Sequence, residues 1–324
     1  MAYGSGAFHV HRMLEENISG YRLCGYNPYL TLFPPLLNHI YKKISADLIH
    51  TNPDYGFFFN RKDKPLVITF HSFVLDKKTR QYGTFLQRLH YSTDLRYFTR
   101  KSLMAAVQVT CVSKFTANII QRELGYTKPI KVIYNGIDTE KFGFTERKRK
   151  GPIKVLFSGH PTKRKGADLL PLIADKLNKG IIILYTSGIR KKQKKFNSLI
   201  MQDIGSFTHE AMPRVYQEAD ILIFPSVREG FGLAAAEAMA SGLPVVATNC
   251  SSLPELVVDG KGGYLCELGN ADAFARRINE LADSPELRKE MGQFNRERIE
   301  NEFTLEKMVK NYRSLFEEIL STAQ

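Results

Sequence analysis

Glu229 and Glu237 stand eight residues apart around a Gly230-Phe231-Gly232 turn, and this spacing is the first in the chain that points to chemistry. The surrounding stretch, DILIFPSVREGFGLAAAEAMASGLPVVAT at 220–248, reads as an apolar strand ending at Pro225, a glycine turn, and an alanine-rich helix opening near Leu233. A helix start leaves backbone N–H groups without internal partners and carries the positive end of the helix dipole, so it binds phosphate. A carboxylate beside such a site gains nothing from the phosphate; the ligands it suits are sugar hydroxyls, which donate hydrogen bonds to it. The plain alternative is an N-terminal cap at Glu229 and a solvated helix position at Glu237.

Such a turn needs a parallel sheet behind it. Short apolar runs alternate with helical patterns along the 324 residues, a length suited to two α/β domains. Strands are expected at 21–25, 47–51, 65–70, 106–112 and 130–134, then at 153–158, 181–185, 220–224 and 244–248. Helices follow near Asp168 and Leu233, and the last helix, about 304–320, carries Leu305, Met308, Val309, Tyr312, Leu315, Phe316 and Ile319 along one face. The turn-rich NGIDTEKFGF and the basic ERKRKGP mark a linker, so the domains are expected at 1–148 and 149–303, with a closing helix 304–324 packing back on the first domain.

No apolar run reaches the roughly 18 residues of a spanning helix, and the start lacks a signal-peptide pattern, which predicts a cytoplasmic protein. Cys24, Cys111, Cys250 and Cys266 are spaced as reduced thiols rather than a zinc cage or disulfide framework. No Asp-x-Asp or His-x-x-x-His occurs, so no metal is expected.

The segment PSVREGFGLAAAEAMASGLPVVAT resembles the Glu-(seven residues)-Glu segment of glycosyltransferase family 4, a retaining family of the GT-B fold. VTCVSKFT at 110–117, KVIYNGIDTEKF at 131–142, RKGADLL at 164–170, YQEADILIFPS at 216–226 and SLPELVVDGKGGYLCE at 252–267 resemble it in the same order. The resemblance implies two Rossmann-like domains facing across a cleft, no permanently bound cofactor, and a nucleotide-sugar donor, a UDP-sugar or a GDP-sugar, as substrate. It assigns Glu237 to the ribose hydroxyls, Glu229 to the donor sugar, the backbone of Gly230, Phe231 and Gly232 to that sugar, Leu233 to the phosphates, and Lys165 to the diphosphate. Gly159 is followed by His160 where the family has arginine, leaving Arg164 or Lys163 as substitute cations or as a solvated basic loop.

In the first half, His71, which ends PLVITF, resembles the histidine the family sets beside the donor sugar, and His50 is a further lining candidate. Gly4 and Gly6 in YGSGAFHV resemble the glycine turn after the family's first strand, implying an N-terminal sheet without its usual first strand.

Charge is uneven: residues 1–150 hold 23 Lys+Arg against 11 Asp+Glu, the remainder 23 against 22. Segment 76–101 interleaves Lys77, Lys78, Arg80, Arg88, Arg96, Arg100 and Lys101 with Tyr82, Phe85, Leu86, Leu89, Tyr97 and Phe98. It reads either as a basic amphipathic helix attaching to an anionic inner membrane face, with a glycan or lipid-linked acceptor, or as a helix with its apolar face in the core. The rival functions are a nucleotide-sugar epimerase, a catalytically silent transferase-like subunit and a nucleic-acid-binding protein. No recognition motif supports the last, so no nucleic-acid partner is expected.

Overall fold

The computed structural model describes residues 6–40, 45–144, 151–187, 196 and 198–322. The chain forms two compact units, one running to Gly136 and resuming at Glu306, the other Ile137–Leu305. The basic run on which the 148/149 division rests lies outside the described residues. The division falls at Gly136 because the following turn is tied to the second unit: the Arg296 guanidinium donates to the carbonyls of Thr139, Phe142 and Ala240 at 3.0, 2.8 and 2.9 Å.

The second unit is a six-stranded, all-parallel sheet of β5 (Ile153–Phe157), β6 (Ile181–Tyr185), β7 (Met201–Asp203), β8 (Ile221–Phe224), β9 (Val245–Thr248) and β10 (Gly263–Cys266), ordered β10-β9-β8-β5-β6-β7. This is the doubly wound order, which reverses between β5 and β8. The central strands are apolar on both faces because helices cover both, and Ile221–Phe224 and Val245–Thr248 are wholly buried. Four strands match the reading to within a residue. The polar edge strand β7 and the glycine-led β10 lack an apolar run, so no expectation marked them.

The first unit holds a four-stranded parallel sheet, preceded along the chain by helix Gly6–Asn17 and numbered ahead of the other strands: β1 (Ile49–Thr51), β2 (Leu66–Phe70), β3 (Gln108–Cys111) and β4 (Ile130–Val132), in that order. Among the described residues no strand lies ahead of Ile49. The expected strand at 21–25 is not formed: Tyr21 turns its hydroxyl to His11 and His50, and the Leu23 N–H donates to Glu15 at 2.8 Å instead of to a neighbouring strand. The closing helix Leu305–Thr322 belongs to this unit from Glu306 onward, burying Met308, Val309, Tyr312, Leu315 and Phe316.

Segment 76–101 is not one helix. It breaks into Lys77–Arg80, Phe85–Ser92 and Asp94–Ala105, because Thr84 and Gln87 form a reciprocal capping box that restarts the helix after Gly83. Nor does the middle piece pack its apolar face: Phe85, Leu86 and Leu89 are 72%, 74% and 53% exposed. Among the described residues no helix is long and apolar enough to cross a membrane.

Candidate active site

In a doubly wound sheet, ligands bind beyond the carboxyl ends of the strands where the order reverses. The two loops that carry the candidates of the second unit leave β5 and β8, the strands on either side of that reversal. They are tied together by the Val227 N–H donating to the Arg164 carbonyl at 2.9 Å and the Arg164 guanidinium donating to the Arg228 carbonyl at 3.0 Å. The close approach depends on Gly166, at φ 74°: a Cβ there would lie 2.2 Å from the Pro225 carbonyl oxygen.

Lys165 ends a 3-10 turn, Lys163–Lys165, whose cap Thr162 accepts from the Lys165 N–H. Its ammonium meets Glu229 Oε1 at 2.5 Å, lies 5.4 Å from the Phe224 ring centroid, and shares that carboxylate oxygen with the Ser226 hydroxyl, also at 2.5 Å. Both side chains are mostly buried, Lys165 at 22% and Glu229 at 11% exposure. Burial pushes the Glu229 carboxyl upward, but the Lys165 charge and hydrogen bond, the Ser226 hydroxyl and the Arg164 charge outweigh it, holding the group below its usual range. Glu229 is therefore an ionised acceptor at neutral pH. Its backbone is pinned as well, donating to Ser251 Oγ at 3.1 Å from a residue held at φ 52°, and accepting from Ser252 at 3.2 Å.

The helix Leu233–Ala240 is capped by Gly232 at φ 100°, with no side-chain cap, so Glu229 is not the cap that the plain alternative allows. The N–H groups of Leu233 and Ala234 open the helix without partners inside it. Phe231 turns its ring into the core, 5.7 Å from Phe303 between ring centroids. Nor is Glu237 solvated: it is buried, accepting from the Tyr216 hydroxyl at 2.9 Å on Oε2 and meeting His209 Nε2 at 3.1 Å on Oε1. Burial foremost, and then the Glu237 charge, raise Tyr216 well above the ordinary phenol range, so it remains a donor.

His160 follows Gly159 as read, and its Nδ1 pairs with the Ser187 carbonyl at 3.0 Å. Lys163 is exposed and Arg164 half-buried.

In the first unit, His71 follows β2 and places Nε2 3.2 Å from His11 Nε2, while His11 and His50 share the Tyr21 hydroxyl at 2.5 and 2.9 Å. His50 Nε2 meets Thr69 at 2.6 Å. Burial lowers all three imidazoles, His71 to about 4 and His50 to about 3, so they are neutral at pH 7. His71 Nδ1 is buried without a hydrogen-bond partner among the described residues, an orphan of the kind found where a ligand binds. Gly6 opens the helix that delivers His11 and is exposed, while Gly4 lies outside the described residues. Among the described residues no group of three or more His, Cys, Asp or Glu is arranged to hold a metal ion.

Ser226, Tyr216, His209 and Ser158, which meets Tyr216 at 3.1 Å, were not anticipated. Only Ser226 had a signal, its place beside the glycine turn. Tyr216 and His209 reach Glu237 from remote segments, and Ser158 meets Tyr216 there.

Both halves of the chain are similar to known proteins. Residues 138–298 match the family described as glycosyl transferases group 1, and residues 4–141 match Glycosyltransferase Family 4. An uncharacterized glycosyltransferase of Methanocaldococcus jannaschii is 28% identical over 293 residues, covering 87% of this chain and 78% of its own. The sulfoquinovosyl transferase of Arabidopsis thaliana is 24% identical over 324 residues, covering 90% of this chain and 62% of its own. Anabaena HepE, solved in complex with UDP and glucose, is similar in fold with a TM-score of 0.79 at 17% identity, over 97% of this chain and 96% of its own.

Proposed function

Because the chain belongs to glycosyltransferase family 4 and has the GT-B fold, we propose that it moves a sugar, with retention, from a nucleoside-diphosphate sugar to a glycan or lipid-linked acceptor. The observation that carries this reading is the Lys165–Glu229 pair beside the start of helix Leu233–Ala240, which has no side-chain cap, at the reversal of strand order. Glu237 takes the ribose hydroxyls, Glu229 the sugar hydroxyls, and Lys165 with the N–H groups near Leu233 takes the diphosphate. His71 and Gly6 are assigned to the sugar and acceptor side. A uridine nucleotide is favoured, in keeping with the UDP bound by HepE.

Departure of the diphosphate is the step that these groups assist. Negative charge grows on the leaving oxygen, and a preorganised ammonium with helix N–H dipoles stabilises it without reorganising. Glu229 is ionised and occupied by Lys165 and Ser226, which supports a role in gripping hydroxyls over one as nucleophile. The leaving phosphate oxygen then takes the acceptor proton on the same face, and the configuration is kept.

This reading is tested by thermal shift with UDP, GDP and ADP: a nucleotide held at 100 times its Kd adds about 2.7 kcal/mol to stability. The expected order has UDP first. No shift with any of the three would refute the site.

The acceptor side includes a membrane. Phe85, Leu86 and Leu89 form an exposed apolar face, and from Lys77 to Thr93 the chain has Lys77, Lys78, Arg80 and Arg88 and no acid. Peripheral attachment to anionic lipid follows, each basic residue near the surface contributing about 1 kcal/mol. Flotation with vesicles containing phosphatidylglycerol is expected to recover the protein, and neutral vesicles or the variant Phe85→Ser/Leu86→Ser to leave most of it behind. Equal recovery with neutral and anionic vesicles would refute attachment.

A further inference from the structure

Glu237 is held by a chain of groups that starts outside its own helix. Lys141 Nζ lies 2.9 Å from His209 Nδ1, and His209 Nε2 lies 3.1 Å from Glu237 Oε1. An ammonium has donors only, so His209 Nδ1 must accept from Lys141. The ring proton is thereby confined to Nε2, where it donates to Glu237. Protonating Nδ1 would set an N–H against the Lys141 ammonium, so the neutral tautomer is the one the geometry supports. Tyr216 donates to the other oxygen, Oε2, at 2.9 Å. Each carboxylate oxygen thus receives one donor from the protein and retains acceptor capacity for one more.

The anchor of this chain is stiff. Asp138 Oδ1 accepts from the N–H groups of Glu140 and Lys141 at 3.1 and 2.9 Å, and Arg296 ties down the carbonyls of Thr139 and Phe142. The buried Phe142 ring packs T-shaped against His209, centroids 5.5 Å apart, with its centroid 6.0 Å from that of Tyr216, closing the side of the network. Lys141 and His209 enter from two loops, one ahead of β5 and one after β7.

We propose that Lys141 and His209 are positioning residues: they orient the Glu237 carboxylate, through a fixed histidine tautomer, so that it selects a nucleotide with ribose hydroxyls. The inference rests on the reading of Glu237 as the ribose ligand. Neither residue touches the nucleotide. They act by removing the rotational freedom of the carboxylate, so their effect belongs to hydroxyl recognition and not to binding of the base or diphosphate.

The test is isothermal titration of the full chain and its variants with UDP and with 2′,3′-dideoxy-UDP. Wild type is expected to prefer UDP by at least about tenfold, the order expected for hydroxyl hydrogen bonds to a charged group. His209→Leu is expected to reduce that preference about fivefold or more by weakening UDP alone. His209→Gln, whose amide can accept from Lys141 and donate to Glu237, should keep it within about twofold. Lys141→Met, which leaves the imidazole in place but frees its tautomer, should fall between, and serves if His209→Leu does not fold. Preference unchanged in both His209→Leu and Lys141→Met, or a loss of affinity equal for the two ligands, overturns the positioning role. A wild type that binds both ligands equally, or does not bind UDP, instead overturns the ribose assignment of Glu237 and the positioning role with it.

Discussion

Replacing Lys165 by alanine is expected to lower kcat by about 10²- to 10³-fold, the loss seen when one preorganised donor to a developing negative charge is removed. The side chain is aimed by a capped 3-10 turn and by Gly166. Removing the ammonium also strands Glu229, mostly buried and ionised, beside Ser226. Breaking a buried pair on one side costs about 3–5 kcal/mol because the remaining charge has no partner. Glu229 relieves part of this by taking up a proton, since the leading influence that burial exerts on it is then no longer opposed by Lys165. The two effects separate in the double variant Lys165→Ala/Glu229→Gln, where the stranded charge is gone: its melting temperature should recover while kcat stays low. Steady-state kinetics with the accepted donor decide the matter, and turnover of Lys165→Ala within a few-fold of wild type would remove Lys165 from the reaction.

Glu237→Ala is expected to raise KM for the donor by about 10²-fold or more, since two hydrogen bonds from hydroxyls to a carboxylate are worth about 1.5–3 kcal/mol each. The ribose lies away from the bond that breaks, so the loss should fall chiefly on KM and lightly on kcat, as for binding shared by ground and transition states. The variant also takes from the buried Tyr216 hydroxyl its bond to Glu237 and leaves it Ser158 at 3.1 Å, at a cost of about 1 kcal/mol in stability. Glu237→Ala/Tyr216→Phe should regain that stability but not the KM. An unchanged KM in a folded Glu237→Ala protein would show that the ribose is held elsewhere.

Much of this site was legible in the chain. A strand that ends at Pro225, a glycine turn and an alanine-rich helix are local features, and local features follow from residue order. The same holds for the sheet of the second unit, where buried strands are unbroken apolar runs such as Ile181–Tyr185. Reading failed where a local pattern was satisfied in a nonlocal way. Residues 21–25 look like a strand, but Tyr21 serves a cluster with His11 and His50. The basic stretch 76–101 has helical spacing throughout, yet the Thr84 capping box divides it: Leu95 and Phe98 of the third piece pack on the core, while Phe85, Leu86 and Leu89 of the middle piece stay exposed.

Residue order alone was enough to set the helix start that can bind an anion, the two acids framing it, the basic loop and the excess of positive charge in the first half, because each depends on neighbours within a few positions. Folding settled the protonation and direction of those groups. Lys165 and Glu229 are 64 positions apart and meet only because β5 and β8 are adjacent in a sheet whose order reverses there. Glu237 became a buried, doubly held acceptor instead of a solvated one through Tyr216 and His209, neither of which its own helix predicts. A carboxylate's charge and aim are set by what surrounds it in space, and that neighbourhood exists only after distant segments have packed.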